Sequence, residues 1–230
     1  MTPRTHVAVA DGIARIALDD GKVNAMSLEM LESIDAALDV AEKAGAVTVI
    51  RGRDGIFSAG FDLSTFQRGP AAIVAMVGAG ARLVERLLAF PRPVLTVCTG
   101  HAYPMGAFLM LAADVRFGLA GAWRIGLNET AIGLTLPKFA VELARHRLTP
   151  PGLVRVATAA LFPPEEAMRL GYLDRVLAAD ELDAAVDAEA ARLRALDLPS
   201  FAATKARLHA PVVEAVRRAI ADELRSPGGA

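Results

Sequence analysis

Apolar and polar residues repeat along this chain at two periods, and the balance between them changes near residue 137. In the first part, strand and helix patterns alternate. Val7 and Val9 precede Asp11-Gly12, and Ile13, Ile16 and Leu18 follow. An Asp-Gly pair between two apolar runs predicts a hairpin. Ser27 suits a helix N-cap, with Leu28, Leu31, Ile34, Leu38 and Ala41 on one face behind it. Val47–Ile50 reads as a short buried strand and residues 70–90 as a helix stopped by Pro91 and Pro93. Residues 94–98 form another strand, and Pro104 opens a helix to about Ala112. Asp114–Phe117 and Ala122–Ile125 are extended. Beyond Pro137 the period is helical over 137–147, 150–160, 163–170, 181–196 and 200–223, with only Asp174–Leu177 extended. The pattern predicts an α/β body of about 135 residues and an α-helical tail, without repeats. Pro199 marks the start of the last helix rather than a linker.

Composition narrows the classes. The chain has 230 residues, 53% of them hydrophobic, enough for a full core in one or two domains. Lys plus Arg is 25 and Asp plus Glu is 26, so no basic excess points to nucleic acid or to a membrane surface. The uncharged stretches Gly69–Ala81 and Ala102–Ala113 fall short of the ~20 residues of a membrane span and read as buried helices. Met1–His6 carries no signal or transit pattern, and Ser226–Ala230 is no peroxisomal address. The single cysteine, Cys98, lies in an apolar run and reads as a buried thiol. These features lead us to expect a cytoplasmic protein.

Several familiar sites are missing. No Gly-x-Gly-x-x-Gly follows a strand, and Gly78-Ala79-Gly80 falls inside a helical pattern, where packing is its role. The phosphate-binding Gly-x-x-x-x-Gly-Lys, His-Glu-x-x-His and Gly-x-Ser-x-Gly are absent. His6, His101, His146 and His209 lack metal-ligand spacing. The expectation is chemistry without a bound metal or redox cofactor.

Three segments carry candidate chemistry. Glu129 stands in Ile125-Gly126-Leu127-Asn128-Glu129-Thr130, with no other acid between Asp114 and Glu142. Charge spacing alone allows an exposed loop acid. In apolar surroundings, however, a carboxylate is costly to ionise, and its pKa rises toward that of a general base. Phe57-Ser58-Ala59-Gly60-Phe61-Asp62-Leu63 permits a tight turn with exposed backbone. Thr99–Phe108 runs from a strand end into a helix, whose first amides favour a negative oxygen. Taken singly, each is also consistent with an ordinary capped turn or helix.

In this order, with Glu129 downstream, these segments resemble the crotonase (enoyl-CoA hydratase/isomerase) family over nearly the whole chain. Phe57–Leu63 is similar to that family's first signature, and residues 99–114 to its second. Asn24-Ala25-Met26 is similar to its early loop along coenzyme A. The resemblance implies an α/β fold: a crotonase-like ββα spiral core with its following helices over residues 1–198, and a C-terminal helix over 199–230 that completes the CoA site and trimer contacts. It implies an acyl-CoA thioester as substrate, no cofactor, and a homotrimer or dimer of trimers. The backbone N–H groups of Phe61 and Met105 would hold the thioester carbonyl, with Glu129 as catalytic base. Asn24, Met26, Ala59, Gly60, Asp62, Leu63, Tyr103, Gly106 and Phe108 would line the substrate. Lys22 and Lys205 would reach CoA phosphates, although solvated surface lysines are the ordinary reading of each. Asp62 also caps its turn, His101 is either an acid or base beside the second amide segment or a strand-end residue held by backbone, and Trp123 and Arg124 pack beside the Glu129 loop. Tyr103 either lines the acyl pocket or donates a hydrogen bond.

Family hydratases use two glutamates, and Phe108 occupies the position of one. A single carboxylate suits proton movement better than water addition, so the resemblance points to Δ3-to-Δ2 enoyl-CoA isomerisation. Residues 125–130 and Leu161–Ala167, with Gly171 and Asp174, are similar to such isomerases. Hydration with one glutamate and acyl-CoA binding without turnover are the alternatives. Pro104 stands in a stretch that is glycine-rich in many members, and it removes one amide there.

Overall fold

The computed structural model describes residues 4–225. The first three residues and Ser226–Ala230, where the terminal signals were sought, lie outside the described residues. The chain opens with the predicted hairpin: β1 (Thr5–Ala10) pairs antiparallel with β2 (Ile13–Leu18) across Asp11-Gly12. Ser27 caps α1 (Leu28–Lys43), its side chain accepting from Met30 N–H. The predicted apolar face of α1, including Leu31, Ile34 and Leu38, is buried.

From here the chain repeats one unit: a strand in a large sheet, a shorter strand in a second sheet, then a helix. The first turn is β3 (Val47–Arg51), β4 (Gly55–Ser58) and α2 (Pro70–Ala89), with a 3-10 helix, Leu63–Arg68, before α2. The second is β5 (Val94–Cys98), β6 (Gly100–Ala102) and α3 (Pro104–Ala112). The third is β7 (Val115–Leu119), β8 (Ile125–Gly126) and a 3-10 helix at Glu129–Ile132. With β10 (Arg175–Leu177) from the later part of the chain, the large sheet has six strands in the order β1-β2-β3-β5-β7-β10, parallel from β2 onward. The small sheet runs β4-β6-β8 and then β9 (Leu161–Phe162), and is parallel across its first three strands. Its remaining strand, β9, pairs antiparallel with β8. This is the ββα spiral.

The helical tail comprises α4 (Lys138–Arg147), α5 (Pro150–Val156), β9 (Leu161–Phe162), α6 (Pro164–Leu170), β10 (Arg175–Leu177), α7 (Ala179–Arg194) and α8 (Leu198–Arg225). α7 lays Leu182, Val186, Ala190 and Leu193 on one face of the large sheet, against Val47, Val49, Leu95, Val97 and Phe117. The main core fills the other side, between the sheets and α1 to α4, with Cys98 buried in it. α8 packs on α2 and α4. No described helix is long and apolar enough to cross a membrane.

Several expectations change. Of Ala122–Ile125 only Ile125 enters a strand, because Trp123 and Arg124 turn toward His101 instead. The helix expected over 150–160 stops at Val156, and Ala159 takes the left-handed conformation, φ 54°. The small sheet was not foreseen, since its strands have two to four residues and show no periodicity.

Candidate active site

The register of the small sheet builds the site. Ser58 of β4 pairs with Ala102 of β6, and Ala102 pairs with Ile125 of β8. Because these strands are parallel, the chain leaves all of them at one end, where open α/β sheets place ligands. Phe61 lies three residues past Ser58, Met105 three past Ala102, and Glu129 four past Ile125. The strands thus deliver all of these candidates to the same edge.

The Phe61 amide is freed by the way its loop is held. Met26 N–H donates to Gly60 O at 2.8 Å, and Asp62 N–H donates to Met26 O at 3.3 Å. This parallel bridge uses the groups on either side of Phe61, so the N–H of Phe61 faces away from Met26. Gly60 turns the chain at φ 88°, a conformation that favours glycine. Ser58 Oγ accepts from Gly60 N–H at 3.1 Å and donates to Asn24 O at 2.7 Å. Ala59 N–H donates to Val23 O at 2.9 Å.

The Met105 amide is freed by helix geometry. Tyr103 N–H donates to Ser58 O at 2.9 Å, which ties the start of α3 to β4. Pro104 follows as the first residue of α3, where its missing N–H would have had no partner in any case. Met105, next in the helix, keeps a first-turn N–H without an intrahelical acceptor. Pro104 therefore costs the site nothing. Gly106 brings α3 onto β4, since a Cβ there would lie 2.6 Å from Ser58 Cβ. A Cβ on Gly60 would lie 3.4 Å from Pro104 N, so the loop and the helix start touch.

Glu129 begins the third coil's 3-10 helix and is only 7% exposed. Its Oε1 is buried without a hydrogen-bond partner. Burial pushes its pKa up to about 7, against a small opposing pull from its own backbone N–H. Burial, and then the Glu129 carboxylate, also push the buried Tyr172 phenol upward. A cavity of about 380 Å³ opens beside Glu129, walled by Leu136, Val141, Ala144, Leu153 and Val156 among others. A second cavity, between α4 and α8, is lined by none of the candidate residues.

The other candidates divide. Phe108 is fully buried, one turn beyond Met105, with its ring edge-on to Phe139 at 5.6 Å. α3 contains no acid, so the helix offers no second carboxylate. Tyr103 stacks on His101 at 5.9 Å, and His101 Nδ1 accepts from Arg124 N–H at 3.1 Å. Asp62 caps the 3-10 helix by accepting from Ser64 N–H at 3.0 Å, and Leu63 is 57% exposed at the loop tip. Ala59 is also exposed.

Asn24 and Met26 are fully buried, which differs from the expectation that they line a ligand. Asn24 Nδ2 donates to Leu18 O and Phe57 O at 3.0 and 3.2 Å, and its Oδ1 accepts from Asp20 N–H. Both residues hold the amide loop from beneath. Lys205 is the clearest correction. Its Nζ, expected at a CoA phosphate, lies 2.8 Å from Asp114 Oδ2 on a residue only 4% exposed. A buried, paired ammonium is not presented to a ligand on the surface. Sequence reasoning missed Asp20, whose carboxylate accepts from the N–H groups of Lys22, Asn24 and Ala25. The Asp19-Asp20-Gly21 turn signal was the clue available.

Residues 8–226 match the enoyl-CoA hydratase/isomerase family. The chain belongs to that family. A solved enoyl-CoA hydratase/isomerase family protein from Pseudomonas syringae superposes with a TM-score of 0.94 at 38% identity, over 96% of this chain and 97% of the other. The apo structure of an enoyl-CoA isomerase of Mycobacterium tuberculosis gives 0.92 at 35% identity, over 99% and 100%. A probable enoyl-CoA hydratase of Bacillus subtilis is 29% identical over 190 residues, which is 80% of this chain and 72% of that protein. Family membership thus makes the chain an acyl-CoA enzyme of the hydratase/isomerase type, and its relatives carry both activities in their names.

Proposed function

We propose that this enzyme moves a double bond from Δ3 to Δ2 in an enoyl-CoA thioester. One observation carries the reading: two free backbone amides and a single buried carboxylate meet at the same end of the small sheet. In this mechanism Glu129 takes a proton from C2. The charge moves onto the thioester oxygen, which accepts hydrogen bonds from Phe61 N–H and Met105 N–H. Such preorganised donors act where charge develops, each worth ~3–4 kcal/mol. Protonated Glu129 then returns the proton at C4, and the double bond comes into conjugation. Phe108 closes the position from which a second carboxylate would activate water, and its burial keeps water from the dienolate. No cofactor enters this scheme. A homotrimer or dimer of trimers in the cytoplasm completes the proposal, and light scattering after gel filtration checks the assembly.

A paired assay tests the chemistry: trans-3-hexenoyl-CoA followed by the gain of conjugated-enoyl absorbance, and crotonyl-CoA by its loss. Turnover of the first alone is expected. Turnover of crotonyl-CoA would replace isomerisation with one-glutamate hydration. Tight binding of both without turnover would leave an acyl-CoA binding protein.

A further inference from the structure

α2 supplies no reacting group, yet it meets both amide-bearing residues at one point. Gly80 is buried midway along this helix. A Cβ built on it would lie 2.9 Å from Met105 Sδ and 3.0 Å from Phe61 Cε1 and Cζ. Interiors packed to crystal density do not absorb such an overlap without movement. Glycine is among the poorest helix formers, so the local preference at this position favours alanine. What glycine provides here is close approach. The Met105 side chain is fully buried, which leaves it little room to retreat, and the partly buried Phe61 ring packs against the same core. On the opposite side the two backbones already touch at Gly60 and Pro104. Each of those residues immediately precedes one of the amides.

We infer that Gly80 is a positioning residue for the two-amide site: it lets α2 lie close enough to set the spacing of the Phe61 and Met105 N–H groups. The inference rests on the proposed role of those amides. A methyl at residue 80 presses both side chains at once and shifts their backbones apart or out of line. Misplacement by as little as 1 Å is worth roughly 100-fold in rate. Affinity gathered along the rest of a CoA thioester is unaffected by such a shift.

The test is infrared spectroscopy of trans-2-hexenoyl-CoA labelled with ¹³C at the thioester carbonyl. The ligand is bound to the wild type, to Gly80→Ala and to Gly80→Ala with Met105→Ala. Isomerase kinetics and thermal melts accompany the spectra. The wild type is expected to lower the carbonyl frequency relative to free ligand. Gly80→Ala should return that frequency toward the free value and lower kcat by at least about tenfold, with KM little changed. Removing the Met105 thioether in the double variant relieves only one of the two contacts, so both readouts should recover in part while the Phe61 contact remains. Wild-type frequency and kcat in Gly80→Ala would overturn the inference. So would a loss of stability and affinity together that the double variant does not rescue. If Gly80→Ala fails to fold, the double variant decides alone: a lowered frequency supports the inference, while a free-like frequency or a second failure to fold overturns it. An unshifted carbonyl in the wild type would sink the amide pair itself, and the positioning role with it.

Discussion

Glu129 is a carboxylate held where its ionised form finds no donor on Oε1. With its pKa raised to about 7 from 4.5 for the free side chain, the role proposed for it as a base sets folding and catalysis in competition over the same proton. Below pH 4.5 the group is protonated in both folded and unfolded chains, and its burial is not penalised. Between 4.5 and 7 the unfolded chain ionises first, so stability is lost as pH rises, up to about 3 kcal/mol. Glu129→Gln is therefore expected to leave stability unchanged at pH 4 and to raise it by up to that amount at pH 8, as read by urea titration at both values. The same variant should lose roughly 100- to 10,000-fold in turnover while keeping acyl-CoA affinity. The wild-type rate should rise with pH toward a plateau above about 7. Glu129 was legible as the one acid between Asp114 and Glu142, and as a base only in the company of the two amide segments and the family they resemble. Asn24 was legible only as part of a loop, because its acceptors, Leu18 O and Phe57 O, come from different strands. Asn24→Ala leaves those carbonyls and Asp20 N–H without their partner and sets alanine at φ 51°. A loss of about 3 kcal/mol in chemical denaturation is expected, with weaker turnover of whatever remains folded.

At the level of elements, α3 was read from the sequence to its final residue, because Pro104 and an unbroken apolar run fix its start and length. The strands beside it were not. A two-residue strand such as Ile125–Gly126 exists only because Ala102 on one side and Leu161–Phe162 on the other are there to pair with it. No local signal specifies such an element. Phe108 joins α3 to α4 through Phe139. Phe108→Ala should cost about 3–5 kcal/mol by leaving a cavity at that contact. It should also bring the apparent pKa of the rate profile below that of the wild type, as water reaches Glu129. An unchanged pKa together with the stability loss would show that Phe108 only fills space.

Across the whole molecule, the α/β body and helical tail were legible as a change of period near residue 137, whereas the docking of one on the other was not. Lys205 shows why. On the helical repeat of α8 it looks like a surface lysine, and its partner Asp114 is 91 positions earlier. Only the fold closes that distance. Asp114 also accepts from Val94 N–H at 2.8 Å, so one carboxylate links β5, β7 and the last helix. Lys205→Met should destabilise by about 3 kcal/mol because it takes the counter-charge from a largely buried carboxylate that keeps only its Val94 N–H bond. Adding Asp114→Asn should recover part of that loss in thermal melts.

The stepwise small sheet has a consequence for descent. On the proposed mechanism, the parts that grip a carbonyl come from the first two coils, and the group that acts on the neighbouring carbon comes from the third. A lineage can therefore exchange the reactive tip of the third coil and inherit the grip unchanged. Side chains at positions 108 and 129 can then vary while the backbone grip is carried along.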